Sequence, residues 1–395
     1  MEVSMIAAVS KASLISRRRL VKSNAALRNW VQDLLAEADV RVQGNRPWDI
    51  KVHSSTLWSR TVAQGSLGLG EAYLDGVWDC ESLDQFFDHV LTAKLSEKIK
   101  LRSLPIVDLL RSRIFNPQSK KRSLNVAEIH YNLGNPFYEA MLDPHMQYTC
   151  GYYSAGAQTL EEAQEAKLHL VCRKLGLKPG ERVLELGCGW GGFARFAARN
   201  YGVEVVAYNI SSEQVAWAKE KSQGLSIEYR QQDYREATGD FDKAVSIGMC
   251  EHVGPRNYRG MFQLVHDRLK PGGVFLLHTI GNDESVNNND PWLSKYIFPG
   301  AVLPSPAQLG NAMDGLFVLE DWHNFGNDYD KTLMAWYERF EASWPRFRDQ
   351  YGDRFYRMWR YYLLCCAGCF RSRYTQLYQL VLSKGGIRGG WGTVR

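Results

Sequence analysis

The sequence has no stretch near the roughly 18 uninterrupted apolar residues of a membrane-crossing helix, which argues against a helical span. Its 8 cysteines form no paired framework in a chain of 395 residues, so a disulfide scaffold is excluded and free thiols in a reducing compartment are expected. Internal repeats and low-complexity tracts are absent too, which rules out solenoid and fibrous classes. The first 23 residues carry one acid, Glu2, against Arg17, Arg18 and Arg19, and they lack a long apolar core. A secretory signal is therefore not expected there; a frayed basic tail over 1–25 is.

What is present suits a globular protein of more than one domain. Hydrophobic residues make up 45%, enough for a sizeable core, and aromatics reach 12% with 12 Trp and 20 Tyr. The net charge of +5 is unevenly spread: residues 1–122 hold 19 Lys+Arg against 13 Asp+Glu, and the remainder is near neutral. A basic front part suggests contact with a polyanion, either an anionic membrane surface or nucleic acid.

Along the chain, Leu27, Trp30, Val31, Leu34, Leu35 and Ala38 recur at helical spacing and predict an amphipathic helix within Leu20–Ala38. Gly65, Gly68 and Gly70 are too closely spaced for a nucleotide loop and are assigned to turns. Pro105, Pro117 and Lys120-Lys121-Arg122 mark a linker over 103–122, dividing a small front domain (26–102) from a larger one (123–395). After Ala163 strands and helices alternate. Strands are expected at Arg182–Gly187, Val203–Asn209, Ser226–Arg230, Ala244–Gly248 and Val274–Gly281, then at Leu316–Trp322, with a final apolar run at Leu377–Leu382. Helices fit Gly191–Asn200, Ser212–Lys221, Tyr258–Leu269 and a segment from Asp330. This order predicts an α/β fold with a doubly wound, mostly parallel sheet.

The strongest local signal is Val183-Leu-Glu-Leu-Gly-Cys-Gly-Trp-Gly-Gly192, an apolar strand followed by glycines and a helix start. Glycines there bring backbone close to a ligand at a helix N-terminus. The acid-x-Gly-x-Gly pattern of Glu185, Gly187 and Gly189 resembles the S-adenosylmethionine loop of Rossmann-like methyltransferases more than a dinucleotide loop. At the next strand end Asn209 and Gln214 stand where many nucleotide enzymes keep a ribose-binding acid. Asp233 suits the adenine amino group or a helix N-cap, and Tyr234 offers a ring face. Glu251 and His278 follow consecutive strands at the sheet edge where chemistry sits, which makes the pair a catalytic candidate. Cys365, Cys366 and Cys369 lie in an aromatic-rich helical stretch without an obvious fourth ligand, so packing is expected and no metal is assigned.

The runs at Ile129–Tyr138, Asp143–Cys150, Leu184–Gly192, Met249–Gly254, Leu276–Gly281, Asp290–Gly300 and Asp321–Phe340 resemble those of cyclopropane fatty acid synthases, from about Trp30 to nearly the C-terminus. The resemblance implies a seven-stranded methyltransferase sheet with a mainly helical N-terminal domain that engages lipid. It implies transfer of a methylene unit from S-adenosylmethionine to an unsaturated phospholipid acyl chain, through a carbocation deprotonated with the help of bicarbonate. By motif, Cys150, Glu251, His278, the Ile280 backbone and Tyr329 would hold that ion. Cys150 could also be read as a nucleophile activated by His278, but this chemistry needs none. Tyr131, Tyr148 and Thr149 join the cofactor set, and Tyr148, Trp190, Tyr296 and Phe298 are the aromatics offered to a cation. The same resemblance implies a homodimer in the cytoplasm, held peripherally at the inner face of an anionic membrane, without nucleic acid. The rival readings are a same-fold enzyme making methyl-branched lipids, an amine methyltransferase, and a nucleic-acid binder with a vestigial cofactor fold.

Overall fold

The computed structural model describes residues 28–95 and 133–395. The expected tail over 1–25, the linker over 103–122 and the cofactor candidate Tyr131 lie outside these residues. The helical spacing near the front gives helix α1 (residues 28–37), which buries Val31 and Leu35 and leaves Trp30 in solvent. Strands β1 (Ile50–Val52) and β2 (Trp78–Cys80) pair antiparallel around helices α2 (Thr56–Gln64) and α3 (Ser66–Leu74), and α4 (Leu83–Thr92) follows.

The turn assignment of the front glycines is corrected here, because Gly68 and Gly70 lie inside α3. The reason is close packing. A Cβ on Gly68 would come 2.1 Å from the Arg60 carbonyl oxygen of α2, and one on Gly70 would come 2.3 Å from the Trp292 ring. Burial against neighbours outweighs the roughly 1 kcal/mol helix penalty of each glycine.

Beyond α5 (Asn135–Met141) and α6 (Leu160–Leu175) the alternating pattern builds one sheet. Its strands are β3 (Arg182–Leu186), β4 (Glu204–Asn209), β5 (Ile227–Gln231), β6 (Phe241–Ile247), β7 (Leu269–Gly281), β8 (Val318–Asn324) and β9 (Gln376–Ser383). They lie in the order β5-β4-β3-β6-β7-β9-β8, with β5 to β7 parallel and β9 antiparallel to both its neighbours. Helices α7 (Gly192–Tyr201), α8 (Ser212–Lys221) and α9 (Tyr258–Arg268) make the crossovers, and α10 (Pro291–Tyr296) and α11 (Pro306–Met313) precede β8. Residues alternating along the strands feed two apolar clusters on opposite faces: Leu184, Leu186 and Val206 on one, Val183, Val205 and Ala207 on the other.

A third cluster unites the N-terminal segment with α12 (Asn327–Ser343) and α13 (Arg348–Arg371), which bends at Gly352 with φ +73°. Helices α4 and α13 meet backbone to backbone at Gly368, where a Cβ would come 2.7 Å from both the Asp84 carbonyl oxygen and the Phe87 side chain. Arg371 closes this joint, donating to Asp84 Oδ2 at 2.6 Å and to both Asp330 oxygens at 2.9 Å. Among the described residues no helix is long and apolar enough to cross a membrane.

Candidate active site

Strand order reverses between β3 and β6, and the crevice beyond their carboxyl ends is where an open parallel sheet binds ligands. Gly187 makes the turn out of β3 at φ +78°, a left-handed conformation, and a Cβ there would meet Met249 at 2.9 Å. The turn then delivers the N-terminus of α7, whose unpaired N–H groups favour anionic or polar ligand atoms. The resulting pocket encloses about 1100 Å³ of space and is partly open to solvent.

Seven of the residues expected to bind a cofactor line this pocket: Tyr148, Thr149, Glu185, Gly187, Gly189, Asn209 and Gln214. Asn209 Nδ2 donates to Gly189 O at 3.0 Å and to Gln214 Oε1 at 2.9 Å, so this amide pins the glycine turn to β4. Asp233 and Tyr234 do not line it. Asp233 accepts from Arg235 N at 2.9 Å and Arg235 Nε at 2.8 Å and caps the short 3₁₀ helix Tyr234–Glu236, the capping role left open from sequence. Of the four aromatics offered to a cation, Tyr148 and Trp190 line the pocket. Tyr296 instead donates to Glu71 at 2.9 Å, and Phe298 packs between His252 and Tyr362.

Gln147, His252, Pro299 and Gly300 also line the pocket and were not expected. His252 adjoins Glu251 in the Met249–Gly254 run, a signal that could have marked it. Burial holds its imidazole neutral, with a pKa down to about 4.

Glu185 is 3% exposed, and its Oε2 has no hydrogen-bond partner. Desolvation pushes its carboxyl up to about 8, against opposing pulls from Arg195 and Lys167. The folded protein thus keeps a proton on Glu185 over a range where the unfolded chain, with a carboxyl near 4.3, has released it. The stability linked to that proton is fully present below about pH 4.3 and is lost as pH rises through about 8. The unfolding free energy of the protein relative to a Glu185→Gln variant is therefore expected to fall by a few kcal/mol, in order of magnitude, across this window. Urea titrations at several pH values measure it, and a flat difference would contradict the assignment.

The second group of candidates lies at the ends of β6 and β7. Glu251, in the 3₁₀ turn Cys250–His252, accepts from Ile280 N at 2.7 Å through Oε1, while its buried Oε2 has no partner. Burial pushes this carboxyl up to about 7. On β7, His278 is 1% exposed; its Nδ1 accepts from Gln379 Nε2 at 3.0 Å and its buried Nε2 has no partner. Burial lowers its pKa well below the usual value, with the charges of Lys167, Lys174 and His323 adding to the effect, so the ring is neutral. With Nδ1 accepting, the ring proton sits on Nε2 as an unused donor.

Cys150 Sγ lies 3.1 Å from Gly151 O and 3.9 Å from Thr332 Oγ1, and burial holds the thiol protonated. Tyr329, one turn before Thr332 on α12, stacks on Phe370 at 4.5 Å. Burial, with the nearby Cys150 and Glu251, raises its phenol well above the usual value. All of these groups are buried, Cys150 and Glu251 lie near enough to Tyr329 to raise its phenol, and Glu251 is a carboxyl poised near neutrality. Buried polar groups of this kind can hold a small anion, and none of them is an activated nucleophile.

Residues 118–380 match the family model for mycolic acid cyclopropane synthetase. The cyclopropane-fatty-acyl-phospholipid synthase of Escherichia coli K12 is 50% identical over 360 residues, covering 90% of this chain and 94% of that protein. A probable fatty acid methyltransferase of Mycobacterium tuberculosis is 31% identical over 362 residues, covering 83% of this chain and 84% of that protein. The crystal structure of the mycolic acid cyclopropane synthase CmaA1 complexed with SAH and CTAB superposes with a TM-score of 0.62 at 31% identity, covering 66% of this chain and 98% of that one.

Proposed function

This chain belongs to the mycolic acid cyclopropane synthetase family, and from that membership we propose that it is an S-adenosylmethionine-dependent cyclopropane-fatty-acyl-phospholipid synthase. It transfers a methylene unit to the cis double bond of an unsaturated phospholipid acyl chain. The observation that carries this reading is the 50% identity to the E. coli synthase, which runs across both the N-terminal segment and the catalytic part.

S-adenosylmethionine occupies the pocket beyond β3, β4 and β6. The π electrons of the acyl double bond attack the sulfonium methyl carbon, the carbon–sulfur bond breaks, and S-adenosylhomocysteine departs with that electron pair. The resulting carbocation loses a proton from the newly added methyl group, and the freed electrons close the ring. Water would trap such a cation as an alcohol, so the reaction needs a dry site. Tyr148 and Trp190 line the pocket, and an aromatic face turned to the substrate can stabilise developing positive charge by about 0.5–2 kcal/mol.

The chain offers a fitting place for a bicarbonate ion, because Glu251 Oε2 and His278 Nε2 are both buried and unpartnered. When bound, that ion supplies the base. His278 Nε2–H and the Tyr329 hydroxyl would donate to it, and Cys150 would add a neutral, polarisable wall. Glu251 would accept the ion's hydroxyl hydrogen, or carry a proton itself, which its pKa of about 7 permits. The Ile280 N–H is committed to Glu251 and so orients that carboxylate.

The segment over 26–102 engages the membrane and the part over 123–395 carries the chemistry, with α12 and α13 as the helical cover over the acyl chain. The basic excess of the first 122 residues supports docking on an anionic bilayer, peripherally at the inner face of the cytoplasmic membrane, and a homodimer is part of the same reading. Supplying S-adenosylmethionine with a trideuterated methyl group to vesicles of unsaturated phospholipid tests the deprotonation step. Product acyl chains that keep two of the three deuterons are expected. Retention of all three would mean that the cation loses a proton from the acyl chain instead, leaving a methyl-branched alkene, and would overturn the ring-closing reading.

A further inference from the structure

Lys167 of α6 is 0% exposed, yet it carries an ammonium group into the wall of the cofactor pocket. Its Nζ donates to Gln147 Oε1 at 2.5 Å and to Thr149 Oγ1 at 2.8 Å, and both acceptors line the pocket. One turn earlier, the fully buried Gln164 donates to Thr149 O at 2.7 Å, so a polar stripe of α6 holds this segment from behind. A buried ammonium group is costly, and although the nearby Asp143 and Glu185 offset part of that cost, its hydrogen bonds aim it at the pocket wall.

An ammonium group can only donate. Thr149 Oγ1 must therefore accept from Lys167, which directs its own hydroxyl hydrogen elsewhere. The methyl of Thr149 is fixed against Gly248, where a Cβ would come 2.6 Å from Thr149 Cγ2. The remaining direction for the hydroxyl is the pocket that Thr149 lines. Gln147 is committed in the same way: its oxygen faces Lys167, one amide N–H reaches His145 O at 3.4 Å, and the other remains to donate. Lys167 thus converts two neutral side chains into oriented donors with a positive charge behind them. Glu185, in the same pocket, presents a buried oxygen with no partner.

We propose that Lys167 is a positioning residue that makes this wall of the pocket a carboxylate subsite, with Thr149 as the direct donor. The amino-acid end of S-adenosylmethionine is a zwitterion. Its carboxylate then faces Thr149 and Gln147, and its ammonium faces Glu185. The inference rests on reading the pocket as the S-adenosylmethionine site.

The test compares calorimetric binding of S-adenosylmethionine and of its decarboxylated analogue, which keeps the sulfonium and the amine. In Lys167→Met, affinity for S-adenosylmethionine is expected to fall by about 10- to 100-fold, with the analogue's affinity changed by less than about 3-fold. Thr149→Val removes only the hydroxyl and is expected to show the same selective loss, which keeps the test open if Lys167→Met fails to fold. Unchanged affinity for S-adenosylmethionine, or equal loss for both ligands, would overturn the carboxylate subsite while leaving the cofactor reading intact. If the unsubstituted protein bound neither compound, the cofactor reading itself would be overturned.

Discussion

Glu251→Gln is expected to lower turnover by about 100- to 1,000-fold, the scale seen when one preorganised polar group of a dry site is removed. The substitution is nearly isosteric. It preserves an oxygen to accept from Ile280 N, which lies 2.7 Å from Glu251 Oε1, so the 3₁₀ turn after β6 should keep its place. What it removes is the unpartnered Oε2 as a site that can take or give a proton. Glu251 does not line the cofactor pocket, so the KM for S-adenosylmethionine should stay within a few-fold. Steady-state kinetics separate the two effects. A drop in turnover under about 10-fold would mean that Glu251 is only a tether for β7.

Arg371→Met is expected to destabilise the protein by about 3 kcal/mol, the scale for breaking a largely buried ion pair from one side. The guanidinium is itself partly exposed, at 29%, which keeps the expected loss at the lower end of that range. Asp84, however, has a side chain only 9% exposed and would lose its donor at 2.6 Å, next to the backbone contact of α4 with α13. Asp330 would lose both its bonds to the same arginine. Urea denaturation measures the loss. Pairing the change with Asp84→Asn should recover part of it, because the orphaned charge is removed. Full stability in Arg371→Met would contradict the view that this triad fastens the N-terminal segment to the catalytic part.

Much of the sheet was legible because its inner strands are buried on both faces and read as apolar runs between turns. The strand expected at Val203–Asn209 forms over Glu204–Asn209, and the helix expected at Ser212–Lys221 forms over those residues. The glycine turn after Glu185 was legible for the same reason, since an apolar strand, glycines and a helix start fall within ten residues. Gly68 and Gly70 misled because what keeps them helical is distant: the backbone of α2 and the ring of Trp292. Spacing within α3 carries no trace of either.

The same limit applies to the site. Gln147, His252 and Gly300 meet only when separate loops converge on the pocket, and Lys167 reads in sequence as an ordinary helical surface charge. Asp233 kept two readings open because a carboxylate after a strand suits either a ligand or a helix cap, and Arg235 supplies its partner here. Charge patterning spoke for the surface and was silent about which cations are buried.

The most direct measurement is mass spectrometry of phospholipid acyl chains after the protein has been incubated with S-adenosylmethionine and unsaturated phospholipid vesicles. Each modified chain is expected to gain the mass of one CH2 and then to resist catalytic hydrogenation, because the double bond has become a ring. A chain that gains this mass but still takes up hydrogen would contradict cyclopropane formation, and no gain on any unsaturated lipid would contradict the lipid substrate.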